Sequence, residues 1–159
     1  MYSSQVSRML DDEHRANIEL LGKVEHMLSR TTRYDPAAAG LVGQLVRMLE
    51  HDVERHFVFE EEQLFPRMTE SGDGGMAALL QEEHAAIRDV SEELLPLARM
   101  AARGSIAPDE WTDLRRLALE LIERQVAHIQ KETMALLPLL DDLLDEEADR
   151  ELTFAYSAA

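Results

Sequence analysis

The chain has 159 residues, of which 32 are acidic and 16 are basic, and its formal net charge at pH 7 is −16. A field of this sign repels phosphate backbones and anionic lipid surfaces, so nucleic-acid binding is not expected. The sequence has no cysteine, which excludes disulfides, thiolate metal ligands and cysteine nucleophiles. Any metal ion in this protein would therefore be bound through nitrogen and oxygen atoms.

The composition predicts an all-α fold in one domain that covers residues 1–159. Leu, Ala, Glu and Arg are frequent, whereas Gly and Pro are few, and this balance is typical of helices rather than strands. No run of about 18 apolar residues occurs, and the N-terminus lacks an apolar signal segment. We therefore expect a cytoplasmic protein that does not associate with membranes.

Two helices are predicted in the first half of the chain. Apolar residues recur at three- and four-residue spacings over about 4–30, which indicates an amphipathic helix. The pair Asp35-Pro36 then supplies an N-cap acceptor followed by proline at the first helical position. This signal predicts a second helix over 36–70.

Two further helices are predicted in the second half, after a glycine-rich loop at 71–75. Helical periodicity predicts the third helix over 76–103 and the fourth over 108–143. A short acidic tail helix or a frayed end follows after Asp141. Because the connections between the four helices are short, we expect an up-down-up-down four-helix bundle.

The two halves of the chain repeat one pattern, L-x-x-E-H followed by H-x3-E-x3-L-x-P. Six histidine and glutamate positions match between the halves: His14, His56, Glu60, His84, His128 and Glu132. A histidine and a glutamate four residues apart lie within about 40° of each other around a helix, so both face inward together. Two packed hairpins would therefore place four histidines in one layer of the bundle core.

This set of side chains favours a pair of divalent metal ions. Two imidazoles per ion and two bridging carboxylates leave room for a solvent bridge and an open coordination position. Without a cation, the same bundle would bury four imidazoles and two carboxylates, at a cost of several kcal/mol.

Four segments resemble the hemerythrin-like, or HHE cation-binding, domain family. They are E-H in the first helix, EEHAAI at 82–87, HFVFEEEQLFP at 56–66 and HIQKETMALLP at 128–138. The resemblance extends over 14–138, and it implies that the six matched residues are the metal ligands.

One departure from the family pattern lies on the third helix. Oxygen-carrying hemerythrins have two histidines one turn apart there, whereas Leu80 and Arg88 occupy the positions one turn from His84. The site would then be more symmetric, with two histidines per metal ion. This argues against simple oxygen transport, and family members with such reduced sites are linked to peroxide decomposition, nitric oxide response and sensing of iron or oxygen.

The resemblance implies two iron ions, Fe2+ or Fe3+, with an oxo or hydroxo bridge. Manganese and zinc are less favoured, zinc because it prefers a closed tetrahedral site. The first hypothesis is reaction with a small oxidant (peroxide, dioxygen or nitric oxide), foremost catalase-like peroxide decomposition. The alternative is a non-enzymatic protein that binds or senses oxygen, nitric oxide or iron. A third hypothesis is an oxidase or oxygenase that acts on a small organic substrate.

Other charged residues near the motifs have simpler interpretations. His26 has no counterpart in the second half, and His51 lies about 140° from His56 around the helix. Both are expected to be surface or structural residues, although His51 could orient a metal ligand. Glu61 and Glu83 are expected in solvent, unless one of them completes the site as a further ligand.

Overall fold

A computed structural model describes residues 2–158, and these form five helices and no strand. The prediction of an all-helical fold is thus confirmed for this part of the chain. Helix α1 spans Gln5–Arg30. The Ser4 side chain caps it by accepting a hydrogen bond from the backbone N–H of Ser7, which satisfies one of the free donors of the first turn.

Helix α2 covers residues 39–70 and alternates between α-helical and π-helical segments. These are Ala39–His51, Asp52–His56 (π), Phe57–Phe59, Glu60–Leu64 (π) and Phe65–Glu70. A single 3-10 turn, Pro36–Ala38, precedes it. The Asp35 side chain accepts from the backbone N–H of Ala37, so the predicted start signal produces this 3-10 turn and α2 follows directly.

Helix α3 spans Gly74–Ala102 and begins two residues before the predicted start at residue 76. Gly74 and Gly75 thus lie in the first turn of α3 rather than in the loop. The turn itself is made by Gly72, whose φ of 97° suits a residue without a side chain.

Helix α4 covers residues 108–143 in three successive segments, Pro108–Lys131, Glu132–Leu136 (π) and Leu137–Leu143. The predicted acidic tail is a further helix, α5, at Glu146–Ala158. None of the helices within residues 2–158 is long and apolar enough to span a membrane.

The first four helices make a closed ring of contacts. Helix α1 contacts α2 and α4, helix α3 contacts the same two helices, and α5 packs on α1. All four contribute to two separate apolar clusters, one with Leu21, Leu49, Leu94 and Leu121 and the other with Leu10, Leu64, Leu80 and Leu136. On each helix the matched histidine or glutamate residues lie between these two leucines, so a polar layer separates the clusters.

Candidate metal centre

The six matched residues come together in the polar layer. The four imidazoles are at most 2% exposed and the two carboxylates at most 1%. Their nitrogen and oxygen atoms form two groups of four, and within each group all ligand atoms lie within 4.8 Å of one another. The first set is His14, His56, Glu60 and Glu132, and the second set is His84, His128, Glu60 and Glu132.

Each of the two shared glutamates lies between the two sets. Glu60 Oε1 is 3.2 Å from His56 Nε2 and 3.3 Å from His84 Nε2. Glu132 Oε1 is 3.2 Å from His14 Nε2, and its Oε2 is 3.3 Å from His128 Nε2. A carboxylate between two sets of imidazoles is the arrangement that a bridging ligand requires.

The helix widens at both glutamates. Glu60 and Glu132 each begin a π-helical turn, and each is followed by a proline six residues later, Pro66 and Pro138. A proline inside a regular α-helix lacks the N–H donor and collides with the carbonyl four residues earlier. A wider turn ahead of the proline accommodates that collision. Single π-turns inside α-helices are also frequent at functional sites.

Several buried ligand atoms have no hydrogen-bond partner among the described residues. They are His14 Nε2, both carboxylate oxygens of Glu60 and Glu132 Oε2. In addition, the Nε2 atoms of His84 and His128 point at each other over 3.0 Å. Burying carboxylate oxygens without donors is costly. One cation within each set would satisfy these atoms, so the residues fit a pair of metal ions.

The two buried carboxylates of the layer also require positive charge nearby. Burial would lower the pKa of His84, but Glu132 and Glu60 outweigh it and raise this pKa to about 9. The same balance raises the pKa of His56 and of His128. Burial opposes ionisation of Glu132, yet His128 holds its pKa well below the usual range. Protons on the imidazoles can supply this charge, and metal ions that displace those protons can supply it equally.

Three of the four imidazoles are supported by a second carboxylate on Nδ1. The pairs are His56 with Glu13 at 3.3 Å, His84 with Glu61 at 2.7 Å and His128 with Glu83 at 2.9 Å. At His84 and His128, Nδ1–H donates a hydrogen bond to the carboxylate, which orients the ring with Nε2 toward the shared glutamates. The contact of Glu13 with His56 is longer, and the Tyr156 hydroxyl also lies 3.4 Å from this Nδ1. Glu61 and Glu83 therefore lie behind the histidines, outside both sets, rather than in solvent.

Glu13 is the centre of a hydrogen-bonded group that the motifs did not reveal. The hydroxyl of Tyr156, on α5, donates to Glu13 Oε2 at 2.6 Å, and His51 Nε2 lies 2.5 Å from Oε1. Burial would raise the pKa of Glu13, but its contacts with His56 and Tyr156 lower it to about 2. His51 thus contacts the carboxylate that lies behind His56, whereas His26 is exposed.

A buried carboxylate beside the first set was also missed. Asp52 is 2% exposed, and it accepts hydrogen bonds from Gln125 at 2.6 Å and from Asn17 at 3.3 Å. Burial raises its pKa to about 6. Asp52, Glu13 and His56 form a third group of ligand-type atoms, but the amide donors already satisfy Asp52, so the two main sets are the better metal sites.

One family model matches the chain. Its description is hemerythrin HHE cation binding domain, and the match covers residues 5–140. It includes all six clustered residues and ends before helix α5. No match to a curated protein was found.

Proposed function

Because the chain belongs to the hemerythrin HHE cation-binding domain family, we propose that it is a non-haem di-iron protein that reacts with a small oxidant. The first candidate is hydrogen peroxide, in a catalase-like reaction. The observation that carries this proposal is the pair of histidine sets that share two buried glutamates. Dioxygen and nitric oxide are further candidate ligands of the same site.

We propose in addition that residues 1–159 are one domain with an up-down-up-down four-helix bundle. The two leucine clusters support this arrangement. Helices α1 and α3 run from the second cluster to the first, and α2 and α4 run from the first to the second. The closed ring of contacts among the four helices is typical of such bundles.

The six clustered residues are proposed as the metal ligands, and iron as the metal. Two imidazoles per ion with bridging carboxylates suit a redox pair better than zinc, which favours a closed tetrahedral site. A bound iron pair would supply the change between ferrous and ferric states that peroxide decomposition needs. In that reaction one peroxide is reduced to two waters while another is oxidised to dioxygen.

The protein's own residues hold and enclose the site. Glu60 and Glu132 keep the two sets at a fixed separation, because each carboxylate contacts a histidine of both. Glu13, Glu61 and Glu83 hold three imidazoles with Nε2 inward. The apolar clusters on both sides exclude water and larger substrates from the layer.

The alternative function is non-enzymatic binding or sensing of oxygen, nitric oxide or iron. The near-complete burial of all six clustered side chains supports it, because an enclosed layer favours diatomic ligands and retained metal over rapid exchange of a substrate.

The decisive experiment measures metal content and peroxide turnover together. Protein loaded with Fe2+ under anaerobic conditions is analysed for iron per chain and then mixed with peroxide while dioxygen is recorded. Two irons per chain with dioxygen evolution, lost in His56→Ala and kept in the exposed control His26→Ala, would support the enzyme. Stable reversible binding of oxygen or nitric oxide without turnover would support the alternative, and a protein that takes up no iron would refute both.

A further inference from the structure

The two halves of the repeat support one histidine each in the same way. Glu13 on α1 faces Nδ1 of His56 on α2 at 3.3 Å. At the equivalent positions, Glu83 on α3 faces Nδ1 of His128 on α4 at 2.9 Å. Because the two halves are equivalent at this position, differences between them at other positions can be compared directly.

The repeat is broken at the residue that follows each shared glutamate. In the first half this residue is Glu61, whose carboxylate lies 2.7 Å from Nδ1 of His84. In the second half it is Thr133, whose hydroxyl lies 3.2 Å from Nδ1 of His14. Among the described residues, His14 is thus the one imidazole of the four whose Nδ1 faces a hydroxyl and no carboxylate.

The two halves also differ four residues after the histidine of α1 and of α3. Arg88, four residues after His84, donates two hydrogen bonds to Glu61, at 2.7 and 3.1 Å. The equivalent residue four positions after His14 is Ile18, which is 38% exposed. An ion pair therefore covers the outer side of His84, whereas a hydroxyl and an aliphatic side chain cover that of His14.

A groove lies on the outer side of His14, and this imidazole is itself part of the groove's lining. A groove of about 460 Å³ runs between α1 and α4, and His14, Ile18, Thr133 and Met134 are among the residues that line it. Met134 is 80% exposed, so it leaves the groove open to solvent. Thr133, which contacts Nδ1 of His14, therefore lines a groove that faces solvent.

From these observations we propose that the two metal positions are unequal. The ion held by the first set is bound more weakly and exchanges through the α1/α4 groove, while the ion held by the second set is retained. Thr133 is the positioning residue that sets the difference, because partners behind a ligating histidine typically change metal affinity by about 10- to 100-fold. This inference rests on the proposed binding of two metal ions.

The first test is release of iron from the anaerobic Fe2+-loaded protein to a chromogenic ferrous chelator. We expect two phases of equal amplitude whose rates differ by about 10-fold or more. His14→Ala should leave one ion per chain that is released in the slow phase. The matched variant His84→Ala should leave one ion that is released in the fast phase. A single phase in the intact protein, or the reverse assignment, would overturn the proposal.

The second test changes only the residue behind His14. Thr133→Val keeps the shape but removes the hydroxyl, and it should accelerate the fast phase by about 10-fold without changing the slow phase. Thr133→Ser keeps the hydroxyl and should behave like the intact protein. The double variant Ile18→Arg with Thr133→Glu introduces the ion pair of the other half and should slow the fast phase toward the slow one.

Controls separate these effects from misfolding and from the proposed function. The circular dichroism of the metal-free variants should match that of the intact protein, which shows that the variants are folded. The assay contains no peroxide, so a protein without peroxide turnover can still release iron in two phases. In that case the proposed reaction with peroxide fails, but the inference of two unequal metal positions is still supported. Equal acceleration of both phases by Thr133→Val, or no two-ion loading, would overturn it.

Discussion

At the scale of single residues, the costliest feature of the molecule is the burial of Glu60 and Glu132, which are 0% and 1% exposed. Three of their four carboxylate oxygens lack a hydrogen-bond donor among the described residues. Ionised carboxylates are rarely buried unless they are paired or bind metal ions. Their position between the two histidine sets is therefore best explained by cations.

Glu132→Gln tests this explanation with nearly no change of shape. The amide cannot supply the negative charge that two cations need, so we expect metal content per chain to fall sharply while the helical signal is kept. Elemental analysis after loading with Fe2+ measures the metal content, and circular dichroism measures the helical signal. Glu120→Gln, an exposed site on the same helix, is the control, and undiminished loading of Glu132→Gln would contradict the ligand assignment.

A second residue-scale prediction concerns Tyr156. Its hydroxyl donates to Glu13 at 2.6 Å, and Glu13 backs His56. Tyr156→Phe should lower the free energy of unfolding by about 1.5 kcal/mol, because a buried hydrogen bond to a charged group is lost. Urea titration of the metal-free protein measures this. Phe154→Leu, at a position 74% exposed on the same helix, should have almost no effect.

At the scale of elements, α5 is attached to the start of α1 through carboxylates. Asp149 accepts from the backbone N–H groups of Gln5 and Val6 at 2.8 and 2.9 Å. Asp141, at the end of α4, accepts from those of Ser3 and Ser4, both at 2.8 Å. Negative charge at a helix N-terminus is stabilising, so these contacts hold the C-terminal segment beside the polar layer.

Asp149→Ala should loosen this attachment. We expect a loss of about 1 kcal/mol, the usual effect of removing an acceptor from a helix start, together with faster hydrogen exchange in α5. Denaturant unfolding and hydrogen exchange measured by mass spectrometry report the two effects. Glu147→Ala, an exposed neighbour, is the control, and equal exchange in both variants would show that Asp149 does not hold α5.

At the scale of the whole molecule, the polar layer separates two apolar clusters and connects four helices. Ions bound there would join all four helices at once. Because a ligand that binds only the folded state stabilises it in proportion to the logarithm of its concentration over Kd, metal binding and global stability should be strongly coupled.

Loading with Fe2+ should therefore raise the thermal midpoint, and removal by a chelator should reverse the change. At a free iron concentration of about 100 times Kd the gain is roughly 2.7 kcal/mol. Differential scanning calorimetry under anaerobic conditions measures it. The double variant His14→Ala with His84→Ala should gain little, and an equal gain in that variant would place the stabilising metal outside the layer.

The sequence by itself predicted the helical class, the family and the six residues that cluster. These predictions depend only on residues that are close to one another along the chain and on the repeat of one motif. Spacings of three and four residues define a helical face, and the repeated motif places equivalent residues at equivalent heights. The family match confirmed the resemblance. The assignment of the six residues as iron ligands and the reaction with peroxide stay predictions.

Only the tertiary structure decided what lies behind each histidine. The partners of each Nδ1 come from neighbouring helices. The sequence therefore does not show that Glu61 lies beside His84 and Thr133 beside His14. The docking of Tyr156 against Glu13 joins residues 143 positions apart. Such contacts depend on how helices pack in three dimensions, and periodicity along one helix carries no information about them.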